Sequence, residues 1–182
     1  MGVMDVTVVY ESLFGNTRAI AEAIAAGARQ ADPAASVRLI PVAEASDTGI
    51  GEPGLLIVGA PTHAMRMSSQ RTRQAGLHAT DEAPHDVEPG AQGPGVRDFL
   101  KTLPPPRPGS RAAAFDTRLA YPQAGGAAHS ISRHLRRHGY QLTAKPQGFV
   151  VKGTYGPLRE GEWERARAWG ATLAGQLASG RN

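Results

Sequence analysis

A run of hydroxyl, glycine and amide residues near the amino terminus has the composition of an anion site. It follows the apolar stretch Val6–Tyr10, precedes an alanine-rich helical pattern, and reads Ser12, Leu13, Phe14, Gly15, Asn16, Thr17. The first backbone N–H groups of a helix have no partners within it and can converge on a phosphate. Gly15 keeps the backbone accessible, Asn16 can cap the helix, and Ser12 and Thr17 add hydroxyl donors. The spacing predicts a phosphate-binding turn, with a strand-to-helix turn that binds nothing as the alternative.

This run resembles the first loop of the flavodoxin-like flavoproteins, which wraps the phosphate of FMN. Four residues match the family pattern as they stand, namely Ser12, Gly15, Asn16 and Thr17. Phe14 stands where the family usually has a second hydroxyl, whose hydrogen bond to a charged group would contribute about 1.5–3 kcal/mol. The resemblance implies FMN as cofactor, with all six residues of the run as binding residues and backbone donors holding the phosphate.

The composition limits the other classes of protein. With 182 residues, of which 41% are hydrophobic, the chain is expected to form a single domain over 1–182. No apolar segment approaches the roughly 20 residues that cross a bilayer, and no signal-peptide pattern is present, so we expect a cytoplasmic protein without membrane contact. The absence of cysteine excludes thiolate catalysis, so redox chemistry would need a cofactor. The net charge is +4, but the basic residues are spread along the chain without a nucleic-acid motif, and no nucleic-acid partner is expected.

Strand and helix patterns alternate along the chain, which predicts an α/β fold with a parallel sheet covered on both faces. Apolar runs predict five strands, at Val6–Tyr10, Val37–Ile40, Leu55–Gly59, Arg111–Phe115 and Gly148–Val151, with Tyr140–Leu142 as an addition to the fifth. Helical spacing predicts helices at about Thr17–Ala31, Gly95–Leu103 and Glu160–Ala178, and another before the fifth strand. The last helix carries one predicted buried stripe, formed by Trp163, Ala166, Gly170, Leu173 and Leu177. The pattern favours a doubly wound, flavodoxin-like sheet of order 2-1-3-4-5.

In such sheets a ligand lies beyond the carboxyl ends of the strands, so the loop after the third strand should border the same pocket. It contains Pro61, Thr62, His63 and Ala64, and a Pro-Thr-His sequence at this point resembles the flavoprotein loop that passes along the isoalloxazine ring. Pro61 stiffens the chain, and the next residues offer polar groups to a flavin. Met65 or Met67 could lie against the ring. An ordinary loop histidine is the alternative for His63.

A third loop is expected after Phe115, with Asp116 ending the fourth strand. Its candidate binding residues are Asp116, Thr117, Arg118, Tyr121, Gly125 and Gly126. Tyr121 is the candidate for stacking on the flavin, and the glycines allow a close approach. Arg118 could stabilise an anionic reduced flavin, with an exposed arginine as the alternative. Tyr155 is expected to lie outside this pocket, because it follows the fifth strand.

Two further segments have several interpretations. Residues 68–94 are rich in glycine, proline and charge, and we expect a long loop or insertion there that acts as a mobile cover or oligomer contact, with disorder as the alternative. His134 and His138 have the i, i+4 spacing of metal ligands, but three neighbouring arginines favour a solvated basic helix face. No metal ligand, acid–base pair or nucleophile triad is assigned.

The sequence therefore indicates an FMN-binding, flavodoxin-like electron-transfer protein. The alternatives are an NAD(P)H-dependent flavin or quinone reductase and a flavin-free interaction domain. The partner is expected to be a redox protein with an acidic docking face, or NAD(P)H and a small acceptor. The acidic face follows from the positive net charge and from Arg66, Arg71 and Arg73, which are expected on the flavin side.

Overall fold

The computed structural model describes residues 4–63, 66–82, 86–120 and 125–179. The strands of this part are β1 (Asp5–Tyr10), β2 (Ser36–Pro41), β3 (Leu55–His63), β4 (Arg66–Met67), β5 (Arg111–Leu119), β6 (Gln141–Leu142) and β7 (Gln147–Val151). Its helices are α1 (Asn16–Ala31), α2 (Val42–Thr48), α3 (Gln70–Glu82), α4 (Val96–Thr102), α5 (Ala127–His138) and α6 (Glu162–Ser179). Among these helices, none has both the length and the apolar composition of a membrane span.

Five positions make up the parallel sheet, in the order β2, β1, β3, β5 and then β6 with β7. Both β6 and β7 pair with β5, so together they occupy the fifth position. The predicted order 2-1-3-4-5 and the contribution of Tyr140–Leu142 to the fifth strand are confirmed. The short β4 returns antiparallel to the end of β3.

Alternating side chains of the strands fill two separate cores. Val9, Leu56 and Ala114 belong to the core that α2, α4 and α5 cover. Val8 and Ile57 belong to the opposite core, which α1 and α6 cover. Because the central strands are buried on both faces, they read as continuous apolar runs rather than as alternating patterns.

The third and fourth predicted strands are longer than expected. β3 continues past Gly59 to His63, and β5 continues past Phe115 to Leu119, so the prediction that Asp116 ends a strand is wrong. The polar residues remain in the sheet because β5 has ladder partners on both sides there. Thr117 pairs with Pro61 of β3 and with Phe149 of β7.

Three helices differ from the expectations: α3 and α2 had no predicted helix, and α6 has one exposed residue in its expected buried stripe. The expected loop at 68–94 contains α3, which begins where Ser69 and Thr72 exchange hydrogen bonds. The Ser69 N–H donates to Thr72 Oγ1 at 2.8 Å and the Thr72 N–H to Ser69 Oγ at 3.2 Å. In α6, the expected stripe is buried except for Trp163, which lies in the first turn and is 39% exposed. The short α2 had no sequence prediction.

Two glycines bring α1 and α6 into backbone contact. A Cβ on Gly27 would overlap the carbonyl oxygen of Arg167, and a Cβ on Gly170 would overlap the carbonyl oxygen of Ile24. The helices can pack this closely only while both positions lack a side chain.

Replacing Gly170 with alanine should therefore lower the free energy of unfolding by about 1–3 kcal/mol, because the added methyl group forces the helices apart. The matched control is Gly175→Ala in the same helix, where an added Cβ has no neighbour within 4 Å. The control should gain about 0.5–1 kcal/mol from the better helix propensity of alanine. Urea denaturation of both variants measures the two effects, and equal stabilities would contradict close packing of α1 on α6.

Candidate functional site

A cavity of about 300 Å³ opens at the carboxyl ends of the parallel strands. The predicted turn contributes Ser12, Leu13, Phe14, Asn16 and Thr17 to its wall, and the ends of β3 and β5 contribute Pro61, Thr62, Thr117, Arg118 and Leu119. The structure thus brings residues of all three predicted segments to one cavity. Two of the three segments are extended strand rather than loop, and the cavity is bordered by consecutive residues at the end of each strand.

The turn itself is held in one shape by local hydrogen bonds. Gly15 has φ +91°, in the left-handed region, and its N–H donates to Ser12 Oγ at 3.1 Å. Thr17 Oγ1 lies 2.7 Å from Thr117 Oγ1, and this contact ties α1 to β5. The expectation that Asn16 caps α1 is wrong, because Gly15 occupies the cap position and the Asn16 amide donates to the carbonyl of Tyr155 at 3.1 Å.

An aromatic pair forms one side of the cavity. Phe14 and Tyr155 meet edge to face, with ring centroids 4.9 Å apart and planes inclined at 79°. Both line the cavity, together with Val151 and Thr154. The expectation that Tyr155 lies outside the pocket is therefore wrong. Its position just after β7 could have predicted this location, because the carboxyl ends of all parallel strands lie at the same edge of the sheet.

Asp116 lies behind the cavity wall and is completely buried. Its Oδ2 accepts a hydrogen bond from the Ala128 N–H at 2.9 Å, while Thr62 Oγ1 accepts one from the Ala127 N–H at 2.9 Å. Side chains of two strands thus satisfy the first N–H groups of α5. Burial raises the pKa of Asp116, although the Ala128 N–H and the Arg118 guanidinium act in the opposite direction.

Arg118 supplies a positive charge to the wall. Its Nε lies 2.8 Å from Asp116 Oδ1, and the side chain is 20% exposed. A Cβ on Gly148 would overlap the Arg118 guanidinium, and a Cβ on Gly126 would overlap Asp116 Oδ2. The interpretation of Arg118 as a freely exposed arginine is wrong, because two glycines and a buried carboxylate hold it in place. The glycines were expected to let the chain approach a ligand, but Gly126 lies against Asp116 instead. Neither Gly125 nor Gly126 lines the cavity.

Several other candidates lie elsewhere or outside the described residues. Ala64, Met65 and Tyr121 fall outside them, and of His63 only the backbone, in β3, is described. Met67 is buried in the core beneath α5, so the expectation that it could face a ring is wrong. The helix α3 belongs to the 68–94 segment that was expected to act as a cover or oligomer contact, and it contributes Thr72 and Gly76 to the cavity. His134 is exposed, as expected for a solvated helix face.

A buried polar cluster lies behind the turn. Glu11 Oε2 accepts from the Val96 N–H at 2.8 Å, and Ser68 Oγ donates to the other carboxylate oxygen. Arg73 is also buried there, with Nη1 3.3 Å from Ser68 Oγ and Nη2 3.5 Å from Asp98 Oδ2. The expectation that Arg73 faces a docking partner is wrong, whereas Arg71 on the same helix is exposed. The cluster fixes the start of α3 and α4 relative to β1.

Comparison with known proteins gives structural matches. No protein-family model matches the chain, and no curated protein sequence matches it significantly. A flavodoxin from the domain Archaea superposes with a TM-score of 0.59 at 19% identity, covering 96% of this chain and 99% of the other. Flavodoxin 2 from Bacillus cereus matches with a TM-score of 0.65 at 17% identity, covering 94% and 99%. A WrbA-like flavodoxin from Agrobacterium tumefaciens matches with a TM-score of 0.56 at 17% identity, covering 97% and 98%. These matches, and the strand order described above, show that the chain has the flavodoxin-like fold.

Proposed function

We propose that the protein binds FMN in this cavity and transfers electrons through it. The observation that carries the proposal is the meeting of three features in one cavity: a glycine turn at the start of α1, an aromatic pair and a fixed guanidinium. The turn is suited to a phosphate, the aromatic pair to an apolar ring system, and the guanidinium to an electron-rich ring edge. A bound flavin would supply the one- or two-electron chemistry that the side chains lack.

The hydroxyl groups fit a phosphate. Ser12 Oγ accepts the Gly15 N–H, which leaves its own hydrogen available to a ligand. Thr17 and Thr117 have two hydroxyl hydrogens, and their mutual contact at 2.7 Å uses one of them. The other can donate to an oxygen in the cavity, beside the first N–H groups of α1. These donors are expected to compensate for the hydroxyl that Phe14 replaces.

A second part of the cavity wall fits the flavin ring. Phe14 and Tyr155 offer an apolar surface, and Arg118 adds a positive charge that favours an electron-rich ring. Asp116 holds the guanidinium in position through its Nε contact. We infer that Tyr155 takes part of the stacking role that the sequence assigned to Tyr121.

The proposed activity is electron transfer as a carrier in the cytoplasm, with a redox partner that presents an acidic face.

One observation favours a second candidate, an NAD(P)H-dependent reductase of a small acceptor. Thr72 and Gly76 of α3 border the cavity, so the segment after β4 reaches the site as a substrate cover would.

Titration with FMN and with riboflavin tests the binding proposal. The protein should bind FMN with at least about tenfold higher affinity than riboflavin, because only FMN carries the phosphate that the turn can hold. Quenching of flavin fluorescence gives both affinities. A protein that ignores saturating FMN would be a flavin-free interaction domain, and equal affinities would exclude phosphate binding at the turn.

Steady-state oxidation of NADPH distinguishes the two activities. A carrier should oxidise NADPH slowly whether or not a quinone is present, because it has to receive electrons from a reductase. A self-contained reductase should turn over many times when quinone is added. Free FMN at the same concentration is the control for uncatalysed oxidation.

A further inference from the structure

One part of the sequence contains basic residues but no acidic ones. Between Asp116 and Glu160 there are seven lysines and arginines and no aspartate or glutamate, whereas the rest of the chain has thirteen basic and sixteen acidic residues. This stretch contains the end of β5, all of α5, β6 and β7. It therefore forms one edge of the sheet together with the helix that covers it.

Six of these cations are exposed, and five of the six form what we call the basic edge, namely Arg133, Arg136, Arg137, Lys145 and Lys152. None of them has an ion-pair partner among the described residues. The other two cations of the stretch have partners, because Arg118 pairs with Asp116 and Arg159 with Glu162. Arg133, Arg136 and Arg137 have the three- and four-residue spacing of one face of α5, where unpaired like charges create a positive potential that attracts an acidic surface.

We propose that the basic edge is the docking surface for an acidic protein. Single-stranded nucleic-acid binding commonly adds exposed aromatic rings for stacking, but Tyr140 and Phe149 of this stretch are buried and Tyr155 lies in the cavity wall against Phe14. Binding to a membrane surface needs an exposed apolar helix face, but Ile131 and Leu135 of α5 are buried in the core. The basic edge would therefore recognise its partner through charge, as in electrostatically guided protein association.

One residue of the basic edge lies next to the cavity wall. Lys152 directly follows Val151, which lines the cavity. The α5 arginines lie toward the other end of the sheet, because α5 begins beside Thr62 and Asp116 and leads into β6, which pairs with the start of β5. A partner that also covers Lys152 would reach the cavity, and its exchange of electrons there rests on the proposed function. The docking proposal replaces the earlier expectation based on Arg73, which is buried.

The test uses fluorescently labelled poly-L-glutamate as the acidic probe, at low and at physiological ionic strength. The test variant combines Arg133→Glu, Arg136→Glu and Arg137→Glu, and the control combines Arg29→Glu, Arg107→Glu and Arg167→Glu on other exposed surfaces. Each triple substitution lowers the formal net charge from +4 to −2, so the two variants have the same net charge. The control also removes the ion pair of Arg107 with Glu52, so the stability of both variants is measured alongside binding. A third variant with glutamine at the three α5 positions covers the case in which reversal near the end of α5 unfolds it.

The native protein should bind poly-L-glutamate at low salt, with binding that weakens as salt increases. Reversal on α5 should lower the affinity at least about tenfold, the glutamine variant should lower it by a smaller factor, and the control should lower it less than about threefold. Equal losses in test and control variants would overturn the proposal, as would no binding by the native protein. Tighter binding to duplex DNA or to phosphatidylglycerol vesicles would overturn it too. Because the probe needs no flavin, failure here is distinct from failure of FMN binding.

Discussion

Gly15→Val is expected to abolish FMN binding. Gly15 has φ +91°, a conformation that costs non-glycine residues about 1–2 kcal/mol and β-branched residues more. The new Cβ would also lie 3.1 Å from Glu88 Oε1, which pairs with Arg18 at 3.2 Å. Relief of both strains would move the turn and the first N–H groups of α1 away from the phosphate. Fluorescence titration should detect no saturable binding.

Gly109→Val provides the control for this variant. Gly109 also has a positive φ, +84°, and an added Cβ there has no neighbour within 4 Å. The substitution should therefore lower the free energy of unfolding by a similar backbone cost without changing FMN affinity. Native-like FMN binding by Gly15→Val would show that the turn does not hold the phosphate.

Tyr155→Ala is expected to weaken FMN binding by at least about tenfold, equivalent to about 1.4 kcal/mol. The substitution removes one ring of the pair that walls the cavity and exposes Phe14, its partner at 4.9 Å. Loss of a large aromatic contact surface is the physical cause. The midpoint potential of the bound flavin should shift as well, because water gains access to the ring. Titration and potentiometry measure the two effects.

Two variants separate the contribution of the ring from that of stability. Tyr155→Phe retains the aromatic surface and should bind FMN within about threefold of the native affinity. Trp163→Ala removes an exposed aromatic residue of α6, outside the cavity, and should leave FMN affinity unchanged. An unchanged affinity in Tyr155→Ala would exclude this wall as the ring site and return the stacking role to Tyr121.

Local patterns were sufficient to predict the sheet and the turn. Apolar runs identified all five strand positions, and strand order followed from alternating strands and helices. The six-residue turn lies where its neighbouring strand and helix predicted, with Gly15 in the left-handed conformation that only glycine adopts without cost. These features depend on residues that are close in sequence.

The features that sequence reasoning missed depend on distant residues. β5 extends through Asp116 because β3 and β7 supply ladder partners, and neither is visible from the local composition. Arg73 is buried because Ser68 and Asp98 surround its guanidinium, although arginine is usually exposed. The start of α3, by contrast, could have been predicted from the sequence, because Ser69 and Thr72 have the spacing of a reciprocal helix cap.

Under the proposed function, the extension of β3 and β5 beyond the expected strand ends would also affect how the cavity responds to a change in charge. Thr117 pairs with Pro61, and Leu119 pairs with Val151, so the wall is held by sheet hydrogen bonds on both sides. Side chains on strands keep their positions better than side chains on loops. A ligand that gains or loses an electron there would meet dipoles and a guanidinium that barely move. The energy needed to reorganise the surroundings would then be small, which is the condition for fast electron transfer.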